Sequence, residues 1–192
     1  IDMASLYKIK YLQLHLSDDQ AFVFPSDSFP NLPTPDRPYS KKDFRKLVDY
    51  AKVRGVTIIP EIDVPGHSRQ FIETYPEIFD VNNGVKKSNV INIADEKVYS
   101  ALDQIISEVA EIFYNSPYIH MGADEAKLDL YKNINEVKSF MNKNKLGNDI
   151  HELYRYFIVR INEIVKKHNK QMLVWEGFRK EGKVKIPKDI IV

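Results

Sequence analysis

Short runs of apolar and β-branched residues alternate along this chain with longer stretches whose apolar positions recur every three or four residues. That alternation is the pattern of βα units around a parallel sheet. Residues 10–16 (KYLQLHL) form the first expected strand. A helix is expected over 41–54, with Phe44, Leu47, Val48 and Ala51 on one stripe. Ser40 stands where an N-cap belongs and Gly55 where the chain leaves the helix. Residues 56–62 (VTIIPEI) are nearly all apolar, as in a strand covered on both faces. The stripe Leu102, Ile105, Ile106, Val109 and Ile112 predicts a helix over 97–113. Residues 118–122 (YIHMG) make a third strand, and 150–167 a long helix ending in Lys166, Lys167 and His168, which suit the negative end of its dipole. Residues 172–175 (MLVW) give a fourth strand, and Ile190-Ile191-Val192 begins a fifth.

Two stretches break the alternation. Residues 24–39 carry Pro25, Pro30, Pro33, Pro35 and Pro38 and read as a loop. Residues 68–95 read as a long connection with a short helix near 71–75. Composition then removes several function classes. Lys+Arg at 28 against Asp+Glu at 27 leaves a net charge of +1, with no basic excess to neutralise a phosphate backbone, so nucleic acid is not an expected partner. No apolar run reaches the about 20 residues that span a bilayer. There is no cysteine, hence no disulfide and no thiolate metal site. The chain opens on Ile1 without a charged and then apolar leader, and is expected to be an excised segment forming one partial domain over 1–192.

The polar residues that are costly to bury collect at strand ends. Asp18 and Asp19 follow the first strand, Asp63 and His67 the second, Asp124 and Glu125 the third, and Trp175 and Glu176 close the fourth. In a parallel barrel those ends share one rim, so four distant stretches converge on one pocket. A lone acid after a strand is ordinarily a cap or a solvated charge. Acids at all four ends, two with a nearby histidine, favour a site. Neighbouring residues in a regular strand face opposite ways. Asp124 and Glu125 can therefore serve one ligand only if the chain bends, which Gly122 and Ala123 make sterically easy. His120 and His15 lie within strands and are read as interior residues, with a substrate role for His120 kept beside that reading.

HLSDDQ, PEIDVPGH and HMGADEA, in this order after successive strands, resemble the signatures of family 20 glycoside hydrolases, the β-N-acetylhexosaminidases, over about residues 1–175. The resemblance implies an α/β fold, a (β/α)8 TIM-type barrel, about half to two-thirds of it present as strands two to five and the start of six. It implies retaining hydrolysis of terminal N-acetylhexosamine from glycoconjugates or chitooligosaccharides, assisted by the substrate's 2-acetamido group as nucleophile. Asp124 would orient that group and stabilise its developing charge, while Glu125 would protonate the leaving oxygen and later take a proton from water. An ionised Asp124 is expected to raise its neighbour Glu125. Asp18 and His67 match the supporting acid–base pair, with Asp63 behind them. Trp175 matches an aromatic wall of the acetamido pocket, and Asp19, His120 and Glu176 are the remaining expected substrate contacts. No metal or other cofactor is expected. Members of this family are often secreted, periplasmic, surface-attached or lysosomal.

The chain also departs from the pattern. Ala21-Phe22-Val23 stands where many relatives carry Gly-Trp-Arg, so a contact at Phe22 is expected to be altered. The family's sugar-gripping arginine is expected on a strand before Ile1, and its remaining pocket residues after Val192. A barrel of about 250 residues is therefore incomplete here, and the isolated segment is expected to be inactive and poorly stable unless its open edges pair with another chain. Two other readings stay open: a metal-dependent barrel hydrolase using Asp18, Asp63, His67, His120 and Asp124, and a non-catalytic sugar-binding module of the same fold.

Overall fold

The computed structural model describes residues 1–36, 39–81, 88–179 and 181–192. Pro38 in the first expected loop and residues 82–87 in the second lie outside the described residues. A short helix α1 (Asp2–Leu6) leads into β1 (Tyr11–His15) and a small antiparallel hairpin, β2 (Ser17–Asp18) with β3 (Ala21–Phe22). Then come α2 (Lys41–Lys52), β4 (Thr57–Val64), the short helices α3 (Arg69–Thr74) and α4 (Pro76–Phe79), and α5 (Glu96–Ile112). Strand β5 (Tyr118–Gly122) is followed by a 3₁₀ turn (Leu128–Tyr131), α6 (Asn135–Lys143), α7 (Ile150–Lys167) and β6 (Gln171–Leu173).

The main sheet runs β1-β4-β5-β6 with every pairing parallel. Consecutive strands are thus spatial neighbours joined through helices, which is the plan of a partial α/β barrel. Residue Ile191 bridges Leu173 in parallel, and its amide and carbonyl bond Met172 and Val174 at 3.1 and 2.9 Å. The expected fifth strand therefore does begin there.

Local chemistry explains the helix boundaries. At α2 the Ser40 hydroxyl accepts from the Asp43 amide while the Asp43 carboxylate accepts from the Ser40 amide, a complete capping box. Asp95 caps α5 and Asp149 caps α7 through their side chains. The stripe of α5 is buried from Val98 to Ile112, and α7 buries Leu153, Tyr154, Phe157, Ile158, Ile161 and Val165 against the same core. Replacing Leu102, which is fully buried, with alanine should cost roughly 2–5 kcal/mol, read from urea unfolding. A change below 1 kcal/mol would show that this stripe is not the outer wall of the core.

Candidate functional site

Strand β4 differs from the regular ladder where the chemistry starts. Glu61 pairs with His120 and Val64 with Gly122, so β4 has one more residue than β5 between the two pairs. That extra residue is a bulge, which re-aims the side chains of its strand. Asp63, expected just after the strand, instead lies within it and is buried. Its Oδ1 rests against Gly122, where an added Cβ would come within 1.8 Å. Gly122 also has φ +63°, a left-handed conformation that glycine adopts at little cost.

From Gly122 the chain leaves the strand sharply. Ala123 and Glu125 have φ of +65° and +48°, so the expected bend is present and places left-handed, non-glycine backbone at the Asp-Glu pair. Such conformations cost about 1–3 kcal/mol each. The turn is held from behind: the buried Tyr154 hydroxyl on α7 donates to the Ala123 carbonyl at 2.5 Å. Gly177 approaches the same carbonyl so closely that a Cβ there would lie 2.2 Å away. The indole-bearing residue Trp175 donates its backbone amide to the Gly122 carbonyl at 2.7 Å.

His67, itself left-handed at φ +48°, stands between two carboxylates. Its Nδ1 lies 3.3 Å from Asp18 Oδ1 and its Nε2 3.6 Å from Glu125 Oε2. Burial opposes charge on the ring, but the carboxylates of Asp63, Asp18, Asp124 and Asp19 outweigh it and raise the His67 pKa. Asp18 experiences the converse: burial acts to raise it, and the Asp19 amide with His67 and His15 bring it below the usual carboxylate value. Glu125 projects into solvent with 77% of its side chain exposed. Burial and the Asp124 charge raise the Asp63 carboxyl to about 8, against opposing contributions from His67 and the Ala123 amide. Among the described residues, Asp63 Oδ1 and Asp124 Oδ1 are both buried without a hydrogen-bond partner.

The remaining expected residues separate. Asp19 accepts with both oxygens, from the Arg69 amide at 3.2 Å and the Asn89 side chain at 3.0 Å, and so ties two connections together. His120 is 3% exposed and packs under Trp175 with ring centroids 4.6 Å apart. Its Nδ1 accepts the Gly122 amide at 3.0 Å, and burial lowers its pKa despite Glu61 and Asp124 nearby. A neutral ring accepting through Nδ1 makes the 3.4 Å approach to Glu61 a packing contact. His120 is thus an interior residue. His15, read as interior, is 44% exposed because β1 is an edge strand with its barrel face open. Phe22 is fully buried edge-to-face against Phe71 at 5.2 Å, a core residue. Glu176 and nearly half of Trp175 are exposed beyond β6.

Besides Tyr154, the structure adds Glu61 to the site. Glu61 is 2% exposed, and its Oε2 accepts from Gln13 at 2.7 Å and faces His15 Nδ1 at 3.0 Å. Its Oε1 accepts the Trp175 indole N–H at 3.1 Å. The signal was its parity with Asp63, hidden inside a run that read as apolar. The loop after Trp175 is also pinned, since Glu152 on α7 accepts the Lys183 and Val184 amides at 2.9 and 2.8 Å. Arg155 donates to the carbonyls of Val184 and Arg179.

The family model described as "Glycosyl hydrolase family 20, catalytic domain" matches residues 1–192. The chain is 27% identical over 185 residues to the human β-hexosaminidase subunit beta, covering 92% of this chain and 33% of that protein. It is 30% identical over 194 residues to β-hexosaminidase subunit A2 of Dictyostelium discoideum, covering 98% and 35%. A solved exo-β-N-acetylglucosaminidase from Vibrio harveyi, in complex with N-acetylglucosamine, superposes with a TM-score of 0.86 at 27% identity. That superposition covers 98% of this chain and 34% of the Vibrio chain. The chain thus spans about a third of the length of the curated relatives it matches.

The raised groups set a pH dependence. Asp63 binds a proton more tightly folded than unfolded, so between about pH 4 and about pH 8 the native state holds the extra proton and stability falls as pH rises. His67, also raised, acts in the same direction as pH climbs through its folded value. Asp63→Asn should remove most of that slope. The melting temperature of the variant relative to wild type should move in the variant's favour from about pH 5 to about pH 8. A difference independent of pH would show that Asp63 titrates as an ordinary carboxyl.

Proposed function

The chain belongs to glycoside hydrolase family 20, and we propose that its carboxylate–histidine cluster hydrolyses terminal β-N-acetylhexosaminides with retention. The observation that carries this reading is His67 standing between Asp18 and Glu125, beside Asp124 on its left-handed turn. In the first step the carbonyl oxygen of the substrate's own acetamido group bonds the anomeric carbon and the glycosidic C–O bond breaks. The Glu125 proton goes to the leaving oxygen. Asp124 accepts the acetamido N–H and stabilises the cation that forms. Water then attacks the anomeric carbon, Glu125 takes its proton, and the acetamido group is released intact. Asp18 and His67 would relay charge to Glu125, while the neutral acid of Asp63 lies next to Asp124. Trp175 would wall the acetamido group. Release of N-acetylhexosamine from glycan ends is the proposed activity of the protein that carries this segment. Association of the isolated chain through the open edge of β1 belongs to the same proposal, with sedimentation as its measure.

In that protein, Glu125→Gln should lower kcat by about 10²–10⁴-fold on a p-nitrophenyl N-acetylglucosaminide while N-acetylglucosamine still binds. Undiminished turnover would remove Glu125 from the role of acid. Equal binding without turnover in wild type would favour a sugar-binding module.

A metal-dependent reading draws on one observation: ligand atoms of Asp63, His67 and Asp124, and likewise of Asp18, Asp19 and His67, lie within 4.8 Å of one another. Chelation by EDTA followed by metal analysis decides between them. Full activity in metal-free protein is the expected result, and loss restored by one divalent ion would replace the acetamido mechanism.

A further inference from the structure

We infer that Glu61 is the positioning residue for Trp175, and through that ring sets the depth of the pocket for the substrate's N-acyl group; the inference rests on the placement of Trp175 as that pocket's wall. Trp175 lies beyond the end of β6 and is 46% exposed, so packing encloses only part of its indole. Its one polar side-chain atom is fastened to a carboxylate that is 2% exposed. That carboxylate is itself immobilised. Its second oxygen accepts from Gln13 at 2.7 Å and faces His15 at 3.0 Å, both on β1.

Among the described residues no lysine or arginine pairs with Glu61. A buried carboxylate without a lysine or arginine beside it depends on its hydrogen-bond donors, and each of these donors limits where the oxygens can sit. The indole N–H, the Gln13 amide and the His15 ring thus converge on the two oxygens of one carboxylate. The Trp175 ring lies against His120 at 4.6 Å. Its backbone amide is already tied to Gly122 at 2.7 Å, the residue from which the Asp124–Glu125 turn departs. Glu61 on β4, the turn after β5 and the indole after β6 thus form one tie across three strands. The wall and the catalytic turn share a fixed separation, and that separation is the length available to the acyl group.

The test uses the hydrolase that carries these residues and two substrates, p-nitrophenyl glycosides of N-acetyl- and N-propionylglucosamine. A rigid wall discriminates against one added methylene by about 10-fold or more in kcat/KM. Glu61→Gln keeps the shape but leaves one acceptor oxygen for donors that now use two. Glu61→Asp keeps the charge and withdraws it from the indole. Either variant should narrow the acetyl-to-propionyl ratio by about threefold or more, the N-acetyl substrate losing most through KM. In a Trp175→Phe background, which has no N–H to anchor, neither change should alter the ratio further. Equal losses on both substrates with an unchanged ratio would overturn the inference and leave Glu61 as structural support. Narrowing that persists undiminished in the Trp175→Phe background would overturn it too. Failure of the underlying readings looks different: wild type would hydrolyse neither substrate if the hydrolase reading failed, and Trp175→Phe alone would leave the ratio unchanged if Trp175 were not the wall.

Discussion

The contact between the Asp63 carboxylate and the bare Cα of Gly122 is the constraint on which the site depends. The bulge in β4 brings the carboxylate to β5, and only a residue without a side chain lets the two strands close over it. The same glycine begins the left-handed path that carries Asp124 and Glu125 off the sheet. Strand pairing, the bend and the burial of an acid are therefore one event. Enclosure beside Asp124 is also what raises the Asp63 carboxyl, to about 8.

Around that contact the site divides into a buried half and a wet half. Glu61, Asp63 and His120 are almost completely enclosed, whereas Glu125 and Trp175 stand largely or half in solvent. The buried groups fix orientation, because each loses hydrogen bonds if it moves. The exposed groups are those that a sugar could reach. His67 links the halves, with carboxylates on both sides of its ring.

The legibility of the sequence followed burial and length. The helix Ile150–Lys167 was readable to the residue because its stripe is long and its cap and basic end agree. Helix α6 was missed because it buries only Val137 and Met141, too thin a stripe to stand out over nine residues. The hairpin β2–β3 has two residues per strand and leaves no periodicity to read. At the site, the motif acids and His67 were found because they follow strands, where bland packing does not explain them. Glu61 and Tyr154 were not, since one sits in an apolar run and the other on a helical stripe. Asp19 was legible as a site residue by its place, but its partners Arg69 and Asn89 lie about 50 and 70 positions away, a distance no local pattern spans. A place within a strand points to the interior for His15, but β1 is an edge strand and leaves the ring 44% exposed.

Helix α7 reaches the site twice, and this has a mechanical consequence. Tyr154 grips the turn that carries Glu125, while Glu152 and Arg155, one helical turn or less away, grip the segment that follows Trp175. Both loops are thus bolted to one rigid rod. A slide or tilt of α7 carries acid and indole together and preserves the gap between them. Asp18 instead rides on the small hairpin, which is tied to β4 where the Asp63 amide donates to the Ser17 hydroxyl at 2.8 Å.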